Sequence, residues 1–247
     1  MKPKKFIACI ILLHVLAVFT VQGGEPEFEN DNRSGWKPES SLDEDPVQLQ
    51  VYYFYARSAD KNMKIQAAEG LERLAGEGRI TDEDPNSLAL LEYLATEGVT
   101  TRVRGTETSR YFPESRRVAC RVLGKIGGET AETILLEVLR KDTDVTVLAE
   151  AVYSLGSITG VPREETAAAF TRLMNTNNLL WQDNNLAFAL LGAVEKIAVN
   201  NGGFTDIPLF LALLEIPKGP FTRNVRRKAA ETAKLLKDYD NERRNEN

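Results

Sequence analysis

Histidine and cysteine are almost missing from the chain, which has one histidine and two cysteines among 247 residues. His14 and Cys9 lie within the first 23 residues, so residues 24–247 contain a single thiol, that of Cys120. Without histidine, this part of the chain cannot form a Ser-His-Asp or Cys-His catalytic site. It also lacks the ligands that zinc and copper prefer, and the second cysteine that a disulfide requires. We therefore predict no enzyme, no cofactor and no metal ligands, although carboxylate chemistry and oxygen-ligated metals stay open in principle.

The chain also has no excess of positively charged residues. The chain has 31 lysine and arginine residues against 36 aspartate and glutamate residues, a net charge of −5, and its pI is about 5.2. Nucleic-acid-binding domains are usually basic, so this balance argues against nucleic acid as a partner. Hydrophobic residues make up 43% of the chain and charged residues 27%, a composition that favours a packed core over global disorder.

The one long hydrophobic run lies at the N-terminus. Three lysines within the first five residues precede an apolar run over residues 6–21, and small or β-branched residues follow. This order is typical of a secretory signal peptide, which we predict over residues 1–23. The protein is then exported to the periplasm or cell envelope, or secreted, and cleavage changes its net charge from −5 to −8 because three lysines and no acid are removed. The alternative is an uncleaved N-terminal anchor, the chain's only predicted membrane contact, although the run is shorter than the roughly 20 residues of a membrane span.

The rest of the chain divides into three parts by composition. Residues 24–45 are polar and acidic with interspersed prolines, which predicts a disordered acidic linker. Residues 46–239 carry apolar residues at spacings of three and four, with no sustained strand alternation, which predicts helices throughout. Residues 240–247 form a charged C-terminal tail.

The predicted helices form five pairs, and each pair is called a unit below. The pairs are 46–57 with 61–75, 86–97 with 114–126, 130–140 with 145–158, 163–174 with 184–199, and 206–215 with 222–238. A recurring pattern in the second helices places Leu71, Leu123, Leu155, Val194 and Ala233 at matched positions, separated by 52, 32, 39 and 39 residues. Such periods indicate stacked helical hairpins, and the longer first interval contains a polar loop over residues 100–111.

The segment from Arg116 to Gly127 resembles the second helix of a HEAT repeat of the short, phycobilin-lyase-like kind, and residues 225–230 are similar. The resemblance implies an all-α fold, an α-solenoid of about five HEAT-like hairpins over residues 46–239. It also implies a ladder in which a basic residue early in a second helix meets an aspartate in the preceding turn. The basic positions are Lys64, Arg116 and Arg226, and the candidate acids are Asp60, Asp142 and Asp183.

The resemblance also implies a function, because such repeats present a surface to protein partners. We expect a non-catalytic binding or scaffolding module whose partner lies against the second helices. One alternative is a lyase- or chaperone-like subunit, since similar repeats occur in bilin lyases, although export argues against it. A second alternative is a purely structural protein of the cell envelope.

Two features are candidate contacts for a partner. A basic cluster in one loop and the helix after it reverses the acidic sign of the chain, and it predicts an acidic partner for Arg102, Arg104, Arg110, Arg117 and Arg121. The alternative is neutralisation of these arginines by the acidic linker or by neighbouring acids. Trp181 lies in a polar loop, where it either anchors a partner or packs between repeats.

One acidic cluster has a structural interpretation. Asp82, Glu83 and Asp84 precede a predicted helix but lack the glycine and distal glutamate of an EF-hand loop. Aspartate before a helix more often caps it, and we predict that role here.

Overall fold

The computed structural model describes residues 45–97, 112–175, 182–204 and 206–245. Within these ranges the chain forms ten α-helices, one short 3₁₀ helix at Ile216–Lys218 and no strand. The α-helices are α1 (Asp45–Arg57), α2 (Lys61–Gly76), α3 (Pro85–Thr96), α4 (Pro113–Ile126), α5 (Gly128–Lys141), α6 (Val145–Ser157), α7 (Glu164–Asn175), α8 (Asn184–Asn200), α9 (Ile207–Glu215) and α10 (Arg223–Asn245). The all-α prediction and the five helix pairs are confirmed.

The last helix extends further than the sequence predicts. The sequence predicts an end at residue 238, but α10 continues to Asn245, so most of the charged tail forms its final turns. Charged residues one turn apart stabilise an exposed helix, and Arg244 and Asp240 form such a pair at 2.8 Å. The charged residues that led to the prediction of a tail therefore also stabilise the end of α10.

Aspartate side chains cap the N-termini of five of the ten described α-helices. Asp84 caps α3 as predicted, accepting hydrogen bonds from the backbone N–H groups of Asn86 and Ser87. Asp60 and Asp183, candidate acids of the ladder, act as N-caps instead: their Oδ1 atoms accept hydrogen bonds from Asn62 N at 2.7 Å and Asn185 N at 2.8 Å, and Lys64 pairs with Glu97 rather than with Asp60. Each cap satisfies backbone donors that have no partner inside the helix.

The helices form two layers around a continuous apolar core. The second helix of each unit packs against the second helix of the next, so α2, α4, α6, α8 and α10 form one layer. The first helices form the other layer, in which neighbours are further apart. Closer packing of the second helices is the arrangement expected on the concave side of a helical-repeat stack, so the layer of α2, α4, α6, α8 and α10 is called the concave layer below. Cys120 is fully buried in the core, as predicted, and burial raises the pKa of its thiol.

Two glycines set the close spacing of the concave layer. A Cβ atom added to Gly124 on α4 would lie 2.8 Å from the Cα atom of Ser154 on α6. A Cβ atom added to Gly156 on α6 would lie 2.5 Å from the Cα atom of Ala193 on α8. Such distances are too short for a side chain in a close-packed interior, so the backbones of these helices meet where the glycines lie.

Candidate partner-binding surface

Two ion pairs, each with a fully buried cation, connect consecutive units. On α2, the ammonium group of Lys64 lies 2.5 Å from Oε2 of Glu97, at the end of α3, and it also donates to the carbonyl of Ala56. Glu97 Oε1 accepts a hydrogen bond from the hydroxyl of Tyr93 at 3.0 Å, and the ring of Phe112 lies 4.9 Å from the lysine nitrogen. Lys64 therefore contacts Glu97 and Phe112, the described residues on either side of residues 98–111.

The second pair follows the same geometry one unit later. Arg116 on α4 donates from Nε and Nη2 to the two carboxylate oxygens of Asp142, at 2.7 and 3.2 Å. Oδ1 of Asp142 also accepts from the backbone N–H groups of Thr143 and Asp144 at 2.7 and 2.8 Å. The buried charges are therefore paired and hydrogen-bonded, as a low-dielectric interior requires.

The ladder differs from the expectation in which turn supplies the acid. Glu97 and Asp142 end the first helix of the following unit, whereas the resemblance implied the turn before the basic residue's own helix. This arrangement explains the exposure of Arg226, because α10 is the last described helix and no described turn follows it. Leu148 and Ala187 occupy the basic position in units 3 and 4, where both are buried apolar residues.

A third buried pair was not predicted. Glu132 on α5 accepts a hydrogen bond from the hydroxyl of Thr166 and lies 3.5 Å from Nη1 of Arg163, which precedes α7. Arg163 also donates to the carbonyls of Leu155 and Ile158. Burial lowers the pKa of Arg163, and Glu132 opposes that shift. The pair joins the first helices of units 3 and 4, so it is outside any pattern in the second helices.

On the concave layer, the helical part of the predicted basic cluster is paired with acids. Arg121 on α4 donates to both carboxylate oxygens of Glu150 on α6, at 3.2 and 3.1 Å, and its Nη1 lies 3.7 Å from Glu72 on α2. Lys125 lies 2.7 Å from Glu72, and Arg117 lies 4.0 Å from Glu150. The hydrogen bond to Glu150 raises the pKa of Arg121. These ion pairs link α2, α4 and α6 across the surface.

The other candidate contacts lie outside the described residues. They are Arg102, Arg104, Arg110 and Trp181. Their role in partner binding stays a prediction, as does that of Arg117 and Arg121.

Farther along the concave layer, two aromatic side chains face solvent. Tyr153 on α6 is 49% exposed and Phe188 on α8 is 48% exposed. The ammonium group of Lys196 lies 3.5 Å from the ring centroid of Tyr153 and donates to Ser157 Oγ at 3.1 Å. Lys228 on α10 lies 5.7 Å from the ring centroid of Phe188. Sequence reasoning missed both aromatics, although Tyr153 holds the position that Arg121 occupies in unit 2, which marks it as outward-facing.

Lys228 also takes part in the polar contacts between the last two helices of this layer. It pairs with Glu195 on α8, whose Oε1 accepts a hydrogen bond from the hydroxyl of Thr232 at 2.6 Å. Polar contacts therefore connect α8 to α10 as they connect α2, α4 and α6.

The first helices of the first and last described units also expose apolar side chains. On α9, Ile207, Leu211 and Leu214 lie on one face, and on α1 the same spacing places Val47, Val51 and Phe54 together.

Among the described residues, no group of histidine, cysteine, aspartate or glutamate side chains is arranged to hold a metal ion. None of the helices described is both long and apolar enough to cross a bilayer.

Comparison with known families identifies the class of repeat in one part of the chain. Residues 107–181, which include α4 to α7, match the family of HEAT repeats. This segment of the chain consists of HEAT repeats. This match does not distinguish the phycobilin-lyase-like kind from other HEAT repeats. Searches of curated proteins and of solved structures gave no match. HEAT repeats are in general protein-interaction repeats, which is consistent with a non-catalytic scaffold and a protein partner.

Proposed function

We propose that this HEAT-repeat protein is an exported, non-catalytic module that binds a protein partner on its concave layer of second helices. The observation that carries the proposal is the exposure of Tyr153 and Phe188 there, each about half accessible to solvent. Exposed aromatic side chains are enriched where proteins bind partners. Because Tyr153 and Phe188 lie on consecutive second helices, the concave layer is a better candidate surface than the layer of first helices.

The polar contacts between second helices support this function. Arg121 connects Glu72 and Glu150 across three helices, and Lys228 connects α10 to Glu195. Individual exposed ion pairs add little to stability, but a network restricts the side chains of the surface. A surface that is ordered before binding loses less entropy when a partner arrives.

The sequence supports export and a second contact. The charged start and apolar run of residues 1–23 favour an envelope or secreted location, so the partner would be outside the cytoplasm. In this proposal Arg102, Arg104 and Arg110 add an electrostatic contact with an acidic region of the partner, and Trp181 adds an apolar one.

The proposal is tested by co-purification from the cell envelope after brief crosslinking. We expect the unaltered protein to retain a partner that is lost when Tyr153 and Phe188 are both replaced by serine. The matched control replaces Ile207 and Leu211, exposed apolar residues of the other layer, by serine and retains the partner. Retention in the first variant, loss in the control alone, or a coloured protein carrying a chromophore would contradict the proposal.

A further inference from the structure

One residue of the concave layer has no side chain where the other units have one. Two positions before the matched residues Leu71, Leu123, Leu155, Val194 and Ala233 stand Glu69, Arg121, Tyr153, Gly192 and Glu231. A Cβ atom added to Gly192 would meet no atom within 4 Å. The surface therefore has an open notch at Gly192, in the middle of α8.

Aromatic side chains lie on two sides of this notch. Phe188 is one turn before Gly192 on the same face of α8, and Tyr153 holds the matched position on the neighbouring helix α6. Lys196 lies one turn after Gly192 on that face, with its ammonium group over the ring of Tyr153. Residues four apart lie one above the other on a helix, so Phe188, Gly192 and Lys196 form one line.

The uncompensated charge at the notch is positive. Glu150 pairs with Arg121, Glu195 with Lys228, and Glu231 with Arg227. Lys196, by contrast, contacts the Tyr153 ring and the Ser157 hydroxyl, and no acid among the described residues pairs with it. An incoming carboxylate would give this ammonium group a partner of opposite charge.

We propose that the notch binds an acidic linear segment of the protein partner. A large apolar side chain of the segment lies over Gly192 between Tyr153 and Phe188, and a neighbouring carboxylate pairs with Lys196. This inference rests on the proposed function and specifies the chemistry of the partner. Aromatic contact supplies the favourable burial, and the positive charge of Lys196 selects an acidic sequence over a basic one.

Substitutions at the notch test the inference without disturbing the core. Gly192→Leu fills open space, and leucine has the higher helix propensity, so the variant is expected to fold. Lys196→Gln removes the charge and retains a polar side chain of similar length. Arg140→Gln is the matched control, because Arg140 is an exposed cation on α5 in the other layer.

The probe is a fluorescein-labelled eight-residue peptide with one phenylalanine among glutamates, titrated into the purified protein by fluorescence anisotropy. We expect saturable binding that weakens about tenfold in Gly192→Leu, as for loss of an anchor residue, and less in Lys196→Gln. Replacing the phenylalanine of the peptide by serine, or its glutamates by lysine, should remove binding, and Arg140→Gln should leave it unchanged. Absence of binding, equal binding of the lysine peptide, or unchanged affinity in Gly192→Leu would overturn the inference.

Co-purification separates this inference from the proposed function. A partner that is lost with the Tyr153 and Phe188 serine variant but retained by Gly192→Leu overturns the notch and leaves the concave surface in place. A partner retained by both variants overturns the proposed function itself. Loss of the partner in both, with peptide binding as expected, supports the inference.

Discussion

Arg116 and Asp142 form a buried two-point ion pair between consecutive units of the stack, with nitrogen–oxygen distances of 2.7 and 3.2 Å. Both side chains are only 1% exposed. Because the pair joins α4 to the end of α5, it fixes how unit 2 stacks on unit 3. Lys64 and Glu97 form an ion pair at the equivalent position one unit earlier.

Removing the acid of this pair should destabilise the protein strongly. Asp142→Ala leaves the Arg116 guanidinium buried without its carboxylate, which costs about 3–5 kcal/mol of unfolding free energy. Urea denaturation followed by circular dichroism measures the loss. As a control, Lys218→Ala removes an exposed pair with Glu215 and should cost no more than about 1 kcal/mol. Equal effects of the two substitutions would show that the buried pair does not hold the units together.

Two glycines of the concave layer should respond to alanine with opposite signs. Gly156→Ala places a methyl group 2.5 Å from the Cα atom of Ala193 and should destabilise by about 1–3 kcal/mol, as overpacking does. Gly192→Ala meets open space and should stabilise by up to about 1 kcal/mol, because alanine restricts the unfolded chain and favours helix. Thermal unfolding of both variants measures the difference. A rise in midpoint for Gly156→Ala would be inconsistent with close contact between α6 and α8.

The thiol of Cys120 should be unreactive in the folded protein. Burial raises its pKa, so the thiolate that attacks a disulfide reagent is scarcely populated even at mildly alkaline pH. In protein cleaved after residue 23, we expect Ellman's reagent to release no thionitrobenzoate at pH 8 until urea is added, and one equivalent after unfolding. Rapid reaction of the folded protein would contradict the packing described for α4.

The arginine-rich loop should contribute a salt-sensitive part of partner binding. Replacing Arg102, Arg104 and Arg110 by serine should weaken binding of the captured partner, most clearly at low ionic strength, where charges in solvent are least screened. Arg223→Ser, which removes an exposed cation of α10, provides the control. Affinity that is unchanged by the triple substitution at every salt concentration would remove the loop from the binding surface.

Sequence patterns identified the features that depend on local spacing. Apolar residues at intervals of three and four predicted the helix pairs, and the matched leucines predicted the units. The burial of Cys120 and the capping role of Asp84 followed from their positions in those patterns. Each of these features is decided within one or two turns of helix, where a single sequence carries the information.

Features that depend on how units stack were not predictable. The acids that pair with Lys64 and Arg116 come from the following unit, and no local pattern says which of several nearby acids will meet them. The pair of Arg163 with Glu132 depends on two first helices meeting. The exposure of Phe188 depends on which face of α8 its neighbours cover, whereas an apolar residue in a helix is ordinarily assigned to the core.

Site-specific photocrosslinking tests the central claim, that a protein partner lies against the concave layer, most directly. A benzophenone amino acid is placed at Phe188 on α8 and, for comparison, at Arg140 on α5 in the other layer, and the exported protein is irradiated in the intact cell envelope. We predict one dominant crosslinked protein from position 188 and none from position 140. Crosslinks from position 140 alone, or none from either position, would contradict the account.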